Sequence, residues 1–279
     1  MILARADGKI SVGVIVAFIQ LMRNIIQLAI TMPELIARVK AAKSLMRRHD
    51  ELLESSQPVG QDVAVSCKRE IALDHVTASY GGAEPALKDF SYAFRAHGCY
   101  AILGESGSGK TTLLNLLTGF HRQYNGDIRY DDVVIRDVSN ESLCQIMSVI
   151  DQDVFIFDAT IAENISMFHP YSDAALQNAA RKAGLSALIE QKGWDYRCGE
   201  NGNQLSGGEK QRIALARSIL QGTDVLFFDE VTSALDAKTG YQIMETIQNM
   251  TEKTRIVITH DIYPDLMDSF DAVLVLKDG

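Results

Sequence analysis

The run Gly104-Glu105-Ser106-Gly107-Ser108-Gly109-Lys110-Thr111 narrows what this chain can become more than any other stretch. Its spacing, G-x-x-x-x-G-K-[ST], needs an apolar strand before it and a helix after it. Both are present, as an apolar run over 100–103 and a helical run over 112–117. Glycines let the backbone turn tightly, so that successive N–H groups and a helix N-terminus converge on phosphate oxygens. In such a loop Lys110 reaches the β- and γ-phosphates, and Thr111 sets its hydroxyl on Mg²⁺. A chance glycine-rich turn is the plain alternative, and the flanking strand and helix argue against it.

From residue 71 onward, short apolar runs alternate with helical ones, the pattern of an α/β domain with a largely parallel sheet. Strands are expected over 71–76, 90–94, 100–103, 127–130, 147–150, 225–228, 255–259 and 272–276, and helices over 111–118, 173–183, 207–220 and 238–250. A chain of 279 residues holds one large or two ordinary domains with a full core. A net charge of -9 excludes a general nucleic-acid binder, which needs clustered positive surface. Cys67, Cys99, Cys144 and Cys198 form no C-x-x-C pair, so they read as reduced cytosolic thiols rather than zinc ligands or a disulfide framework.

Ahead of that domain, residues 10–32 are the most apolar window, and as a helix they would extend roughly 34 Å, enough for a bilayer. Gln20, Arg23, Asn24 and Gln27 interrupt it at a spacing that puts all four on one face. Three readings stay open: a membrane helix belonging to a larger bundle, an amphipathic helix on a surface, and a signal peptide. After Pro33 the helical pattern runs to about Glu54 with Arg38, Lys40, Lys43, Arg47 and Arg48, a charge bias that marks the cytoplasmic end of a span or simply a solvated face. The polar stretch from Ser55 to Glu70 is where the domain boundary is expected: 1–56 as helix and extension, 57–70 as linker, 71–279 as the α/β domain.

Val225-Leu226-Phe227-Phe228-Asp229-Glu230 is an unbroken apolar run ending in two carboxylates. It suits a central parallel strand, at whose carboxyl end ligands gather. Asp229 is then placed to help hold Mg²⁺, and Glu230, pointing the other way along the strand's period of two, to polarise an attacking water. Leu205-Ser206-Gly207-Gly208-Glu209 contains a capping box, Ser206 with Glu209, at the start of a helix. An ordinary capped helix and a second phosphate-binding helix terminus both fit that spacing.

In the order of these motifs the chain resembles the nucleotide-binding domain of an ATP-binding cassette transporter, over 71–279. Residues 104–111 match Walker A, 225–230 match Walker B with its glutamate, and 205–209 match the LSGGQ/E signature. The resemblance implies a P-loop NTPase fold: a parallel core sheet, an antiparallel β subdomain and an α-helical signature subdomain, preceded by a long N-terminal helix. By the same resemblance Tyr80 stacks on adenine, Thr112 joins the phosphate loop, and Gln152 is the Q-loop residue contacting Mg²⁺ and the attacking water. His260 is then the switch histidine, Asp236 closes the D-loop Ser233-Ala234-Leu235-Asp236, and Glu200 lies in a loop set against a membrane domain. Residues 7–54 resemble, more loosely, the last membrane helix of an exporter-type half-transporter with its cytoplasmic extension.

What the resemblance implies is an ATPase using ATP and Mg²⁺. Two such domains pair head to tail, with nucleotide between the Walker A loop of one and the Ser206 helix end of the other. Gly207 and Gly208 admit the partner's γ-phosphate, and Glu230, His260 and Gln152 act in hydrolysis. It further implies an exporter at the cell membrane with its ATPase on the cytoplasmic side, paired with an identical or related chain, and with further membrane helices supplied elsewhere. A soluble cassette ATPase working mechanically on other macromolecules, and an ATP-binding fragment that drives nothing, are the competing functions.

Overall fold

The computed structural model describes residues 60–79, 84–260 and 263–277, together with 13, 15–23, 25–27, 32, 40 and 43 near the N-terminus. Two compact units result, Met1–Gln57 and Pro58–Gly279. In the first, every described residue is helical. Among the described residues no helix is long and apolar enough to cross a membrane. Most of the expected 10–32 window and its extension to 54 falls outside the described residues.

The second unit has two sheets. Strands β1 (Glu70–Ala78), β2 (Leu87–Arg95), β4 (Tyr124–Tyr130) and β5 (Val133–Val134) form an antiparallel sheet in the order β2-β1-β4-β5. Strands β3 (Cys99–Gly104), β6 (Met147–Ile150), β7 (Val225–Asp229), β8 (Thr254–Ile258) and β9 (Ala272–Leu276) form a parallel sheet in the order β6-β7-β8-β3-β9. Helix α1 (Lys110–Leu117) follows β3, and α2 (Asn140–Ile146) precedes β6. A helical layer of α3 (Ile161–Ser166), α4 (Asp173–Lys182), α5 (Ser186–Lys192) and α6 (Gly207–Gln221) lies between β6 and β7, and α7 (Ala237–Gln248) and α8 (Pro264–Met267) complete the unit.

The period of two explains why the parallel strands are largely apolar, with Ser148, Asp229, Thr254 and Arg255 as exceptions. Val225 and Phe227 of β7 enter a core shared with α1, α2 and the antiparallel sheet, whereas Leu226 and Phe228 enter a second core built from α3 to α8. Ile256 and Ile258 of β8 join the first core and Val257 the second. With both faces covered, a ligand reaches these strands at their carboxyl edge.

Residues 60–69, expected as linker, pack on this unit. Gln61 donates its N–H to the Asp137 carbonyl and accepts from Ser139, and Cys67 is buried. Four short helices, α2, α3, α5 and α8, lie where no helix is expected, and each has fewer than eight residues.

Candidate functional site

The loops after β3, β6, β7 and β8 all leave the same edge of the parallel sheet. After β3 the chain turns through Gly107 (φ 83°) and Gly109 (φ 102°), both in the left-handed region that glycine enters at no steric cost, and Gly109 caps the start of α1. Beside Gly107 the space that a Cβ would fill is open. Lys110 is buried to 6% exposure, and its Nζ donates to the carbonyls of Gly104 (2.7 Å) and Glu105 (2.9 Å). Ser108 Oγ is buried with no hydrogen-bond partner among the described residues. An open backbone cradle, an orphaned hydroxyl and a buried lysine fit an anion with several acceptor oxygens, which is what a polyphosphate presents.

Opposite the loop, β7 ends at Asp229, and Glu230 takes φ 50°. Its side-chain direction is therefore set by a left-handed turn, not by the strand alternation expected from sequence. Ser233 braces that turn, donating its hydroxyl to the Glu230 carbonyl at 2.8 Å. From the end of β8, His260 brings Nε2 to 2.9 Å from Glu230 Oε1. His260, Thr259 and residues 104–108 line one cleft of about 510 Å³. Two groups far apart in sequence thus meet where β8 separates β3 from β7.

Burial raises the Asp229 carboxyl above its ordinary range, the Glu230 and Asp151 carboxylates push it further, and Lys110 pulls it back. Asp151, at the end of β6, holds the position on its strand that Asp229 holds on β7, a carboxylate at the carboxyl edge, and that signal was open to reading in the sequence. Thr111, Asp151 and Asp229 share a groove of about 690 Å³ with the apolar side chains Phe120, Phe155 and Met167. One hydroxyl and one or two carboxylates are too few to hold a cation alone, but they fit Mg²⁺ completing its shell with phosphate oxygens.

Gln152 and residues 206–209 do not line the phosphate-loop cleft. Gln152 lines a cleft of about 500 Å³ with Gly207, Lys210 and Leu235, and its carbonyl accepts from Gln211 Nε2 at 2.8 Å. The expected capping box forms: Ser206 N–H donates to Glu209 Oε2 (2.6 Å), and Glu209 N–H to Ser206 Oγ (3.3 Å). Asp236 caps α7 by accepting from the Thr239 N–H at 3.1 Å. Gly207 is exposed, but Gly208 is buried. Glu105 and Ser106 lie on the rim of the phosphate-loop cleft and Thr112 is buried inside α1. Tyr80 lies outside the described residues. Two side chains that sequence patterns did not single out, the buried Gln211 and the half-buried Arg217, tie the layers together. Gln211 donates to the carbonyls of Asp151 and Gln152, and Arg217 donates to Phe155 O, Asn164 O and Asn164 Oδ1.

A phosphate loop on β3, carboxylates on β7 and a helical layer inserted between β6 and β7 define a P-loop nucleotide-binding domain. The chain belongs to the ABC transporter family, whose model matches residues 87–233. It is 40% identical over 216 residues to the iron-sulfur clusters transporter atm1, mitochondrial, of Aspergillus fumigatus, covering 75% of this chain and 29% of that protein. It is 37% identical over 233 residues to the ATP-dependent lipid A-core flippase of Sodalis glossinidius, covering 81% of this chain and 40% of that one. Among solved structures, a bacterial Atm1-family ABC exporter with ATP bound aligns with TM-score 0.72 at 32% identity, over 85% of this chain and 43% of that chain. The chain spans 29% to 48% of the length of the curated relatives it matches. Family membership carries nucleotide binding with it.

Proposed function

We propose that this chain is the ATP-hydrolysing part of an ABC exporter, and that ATP closes two such domains head to tail. The observation that carries the hydrolytic reading is the Glu230–His260 pair at 2.9 Å, whose histidine lines one cleft with the phosphate loop. Glu230 is the general base that takes a proton from the attacking water. His260, lining the same cleft, orients the Glu230 carboxylate and faces the γ-phosphate end. Lys110 gives up its two loop carbonyls for phosphate oxygens. Thr111 and Asp229 would hold Mg²⁺, which when bound offsets phosphate charge.

Pairing is supported by the separation of the two phosphate-facing ends. Residues 104–108 line one cleft and Gly207, Lys210 and Gln211 another, and the two share no lining residue. The exposed Ser206 end of α6 therefore meets a phosphate only by facing a second copy or a related chain. The relatives' names place such domains in exporters and flippases, but they differ in cargo: iron-sulfur clusters, lipid A core, β-(1→2)glucan. The cell membrane is the corresponding location, with the ATPase on the cytoplasmic side, where ATP is available.

Glu230→Gln tests this, because it removes the base while keeping the shape of the site. We expect the variant to bind MgATP, to hydrolyse it at least about a hundredfold more slowly, and to double its mass in solution with MgATP but not with MgADP or without nucleotide. A monomer under all three conditions overturns the pairing. Hydrolysis at the parent rate overturns the assignment of the base.

A further inference from the structure

The second glycine of the Ser206-Gly207-Gly208-Glu209 turn does not open toward solvent. Gly208 is buried, and a Cβ built there would come closer than 3.0 Å to Cγ2 of Thr239, a separation that real Cβ atoms do not show. At Gly207 the same construction meets only Leu235 Cδ2, at 3.0 Å, and that residue is exposed. The two glycines thus have different neighbours, Gly207 the outside and Gly208 the first turn of α7.

Thr239 is not free to yield. Its N–H donates to Asp236 Oδ1 at 3.1 Å, which ties its backbone to the cap of α7. Its β-branched side chain has only two favoured χ1 settings in a helix, and here the methyl is turned toward Gly208. Nor can α7 retreat: next along it, Gly240 packs on Tyr263 Oη so closely that a Cβ there would also clash, with Thr232 alongside. From Asp236 through Thr239 to Gly208, a short rigid chain of contacts joins the cap of α7 to the cap of α6.

We infer that Thr239 is a positioning residue for the Ser206 helix end: its methyl seats Gly208, and the packing of α6 on α7 requires glycine at 208 whatever its backbone contacts. This rests on the reading that the α6 terminus engages nucleotide. A side chain at 208 lifts the first turn of α6 off α7 and moves Ser206 away from where a facing phosphate would meet it. Removing the Thr239 methyl makes room again.

The test compares Gly208→Ala, Gly208→Ala/Thr239→Ser and Gly208→Ala/Thr239→Val in the full chain, each double variant referred to its own Thr239 single variant. Serine keeps the hydroxyl and loses the methyl, while valine keeps the methyl. We expect Gly208→Ala to lower kcat about tenfold or more with affinity for a fluorescent ATP analogue unchanged. Thr239→Ser restores kcat to within about threefold of its reference, and Thr239→Val does not. If Gly208→Ala alone is too unstable to purify, a folded and hydrolysing Thr239→Ser double variant supports the seat in the same way. A double variant with a parental melting temperature but no recovery of kcat overturns it, and so does a Gly208→Ala chain of unchanged kcat. Absence of hydrolysis in the unsubstituted chain overturns the functional reading itself and is seen first.

Discussion

Lys110 is held by two carbonyls of its own loop, so removing it has two separable effects. Lys110→Ala deletes the charge-assisted contact to phosphate, and titration with labelled MgATP is expected to show affinity at least about a hundredfold weaker. It also leaves the Gly104 and Glu105 carbonyls without their donor, which lowers stability by about 1 kcal/mol. Unchanged affinity would remove the phosphate loop from the site. At this scale the sequence was most legible where spacing alone encodes geometry, as in residues 104–111. It was least legible where a glycine's missing Cβ matters, because nothing local tells whether that space faces a ligand or a neighbouring helix. Gly208 reads as phosphate clearance in the motif and packs on Thr239 in the fold. Glu230 likewise reads as a strand residue, but its φ of 50° depends on Ser233 and β8, which only the tertiary structure brings to it.

Among the elements, the segment before β1 is the one whose standing changed most. Composition made 57–70 a linker, yet Asp131, just past β4, gathers four donors from it: the N–H groups of Lys68, Arg69 and Glu70 and the hydroxyl of Ser66. Burial works against this carboxylate, and the four bonds outweigh it, holding its pKa below the ordinary range. A carboxyl depressed in the folded state stabilises the fold above its unfolded pKa of ~3.9 and loses that contribution as pH falls through the folded value. Asp131→Ala is therefore expected to cost about 1–2 kcal/mol at neutral pH, toward the low end because the site is partly solvated. In thermal melts the gap to the parent should narrow below pH ~4, and a gap that does not change with acid would mean the bonds are not carried by the ionised form. No periodicity announces such an anchor, since its partners are backbone groups. The short helix α3 was more readable, because Thr160 and Glu163 form a capping box that the motif T-x-x-E already shows.

For the molecule as a whole, the two units bear different parts of the proposal. The unit Pro58–Gly279 has its own two cores, and the phosphate loop, the carboxylates and the α6 terminus all lie within it. An apolar core of this size is enough for independent folding. A chain starting at Pro58 is therefore expected to melt as one cooperative unit and to bind MgATP with the affinity of the full chain within about threefold. Under the proposal, membrane attachment falls to residues 1–57, where the apolar window and the run of Arg38, Lys40, Lys43, Arg47 and Arg48 lie. Flotation with anionic liposomes separates the two: the full chain should rise with the vesicles and the Pro58 chain should remain below. If both float, the unit Pro58–Gly279 binds lipid by itself and residues 1–57 are not what attaches the chain. If neither floats, the attachment of this ATPase to a membrane depends on other chains alone.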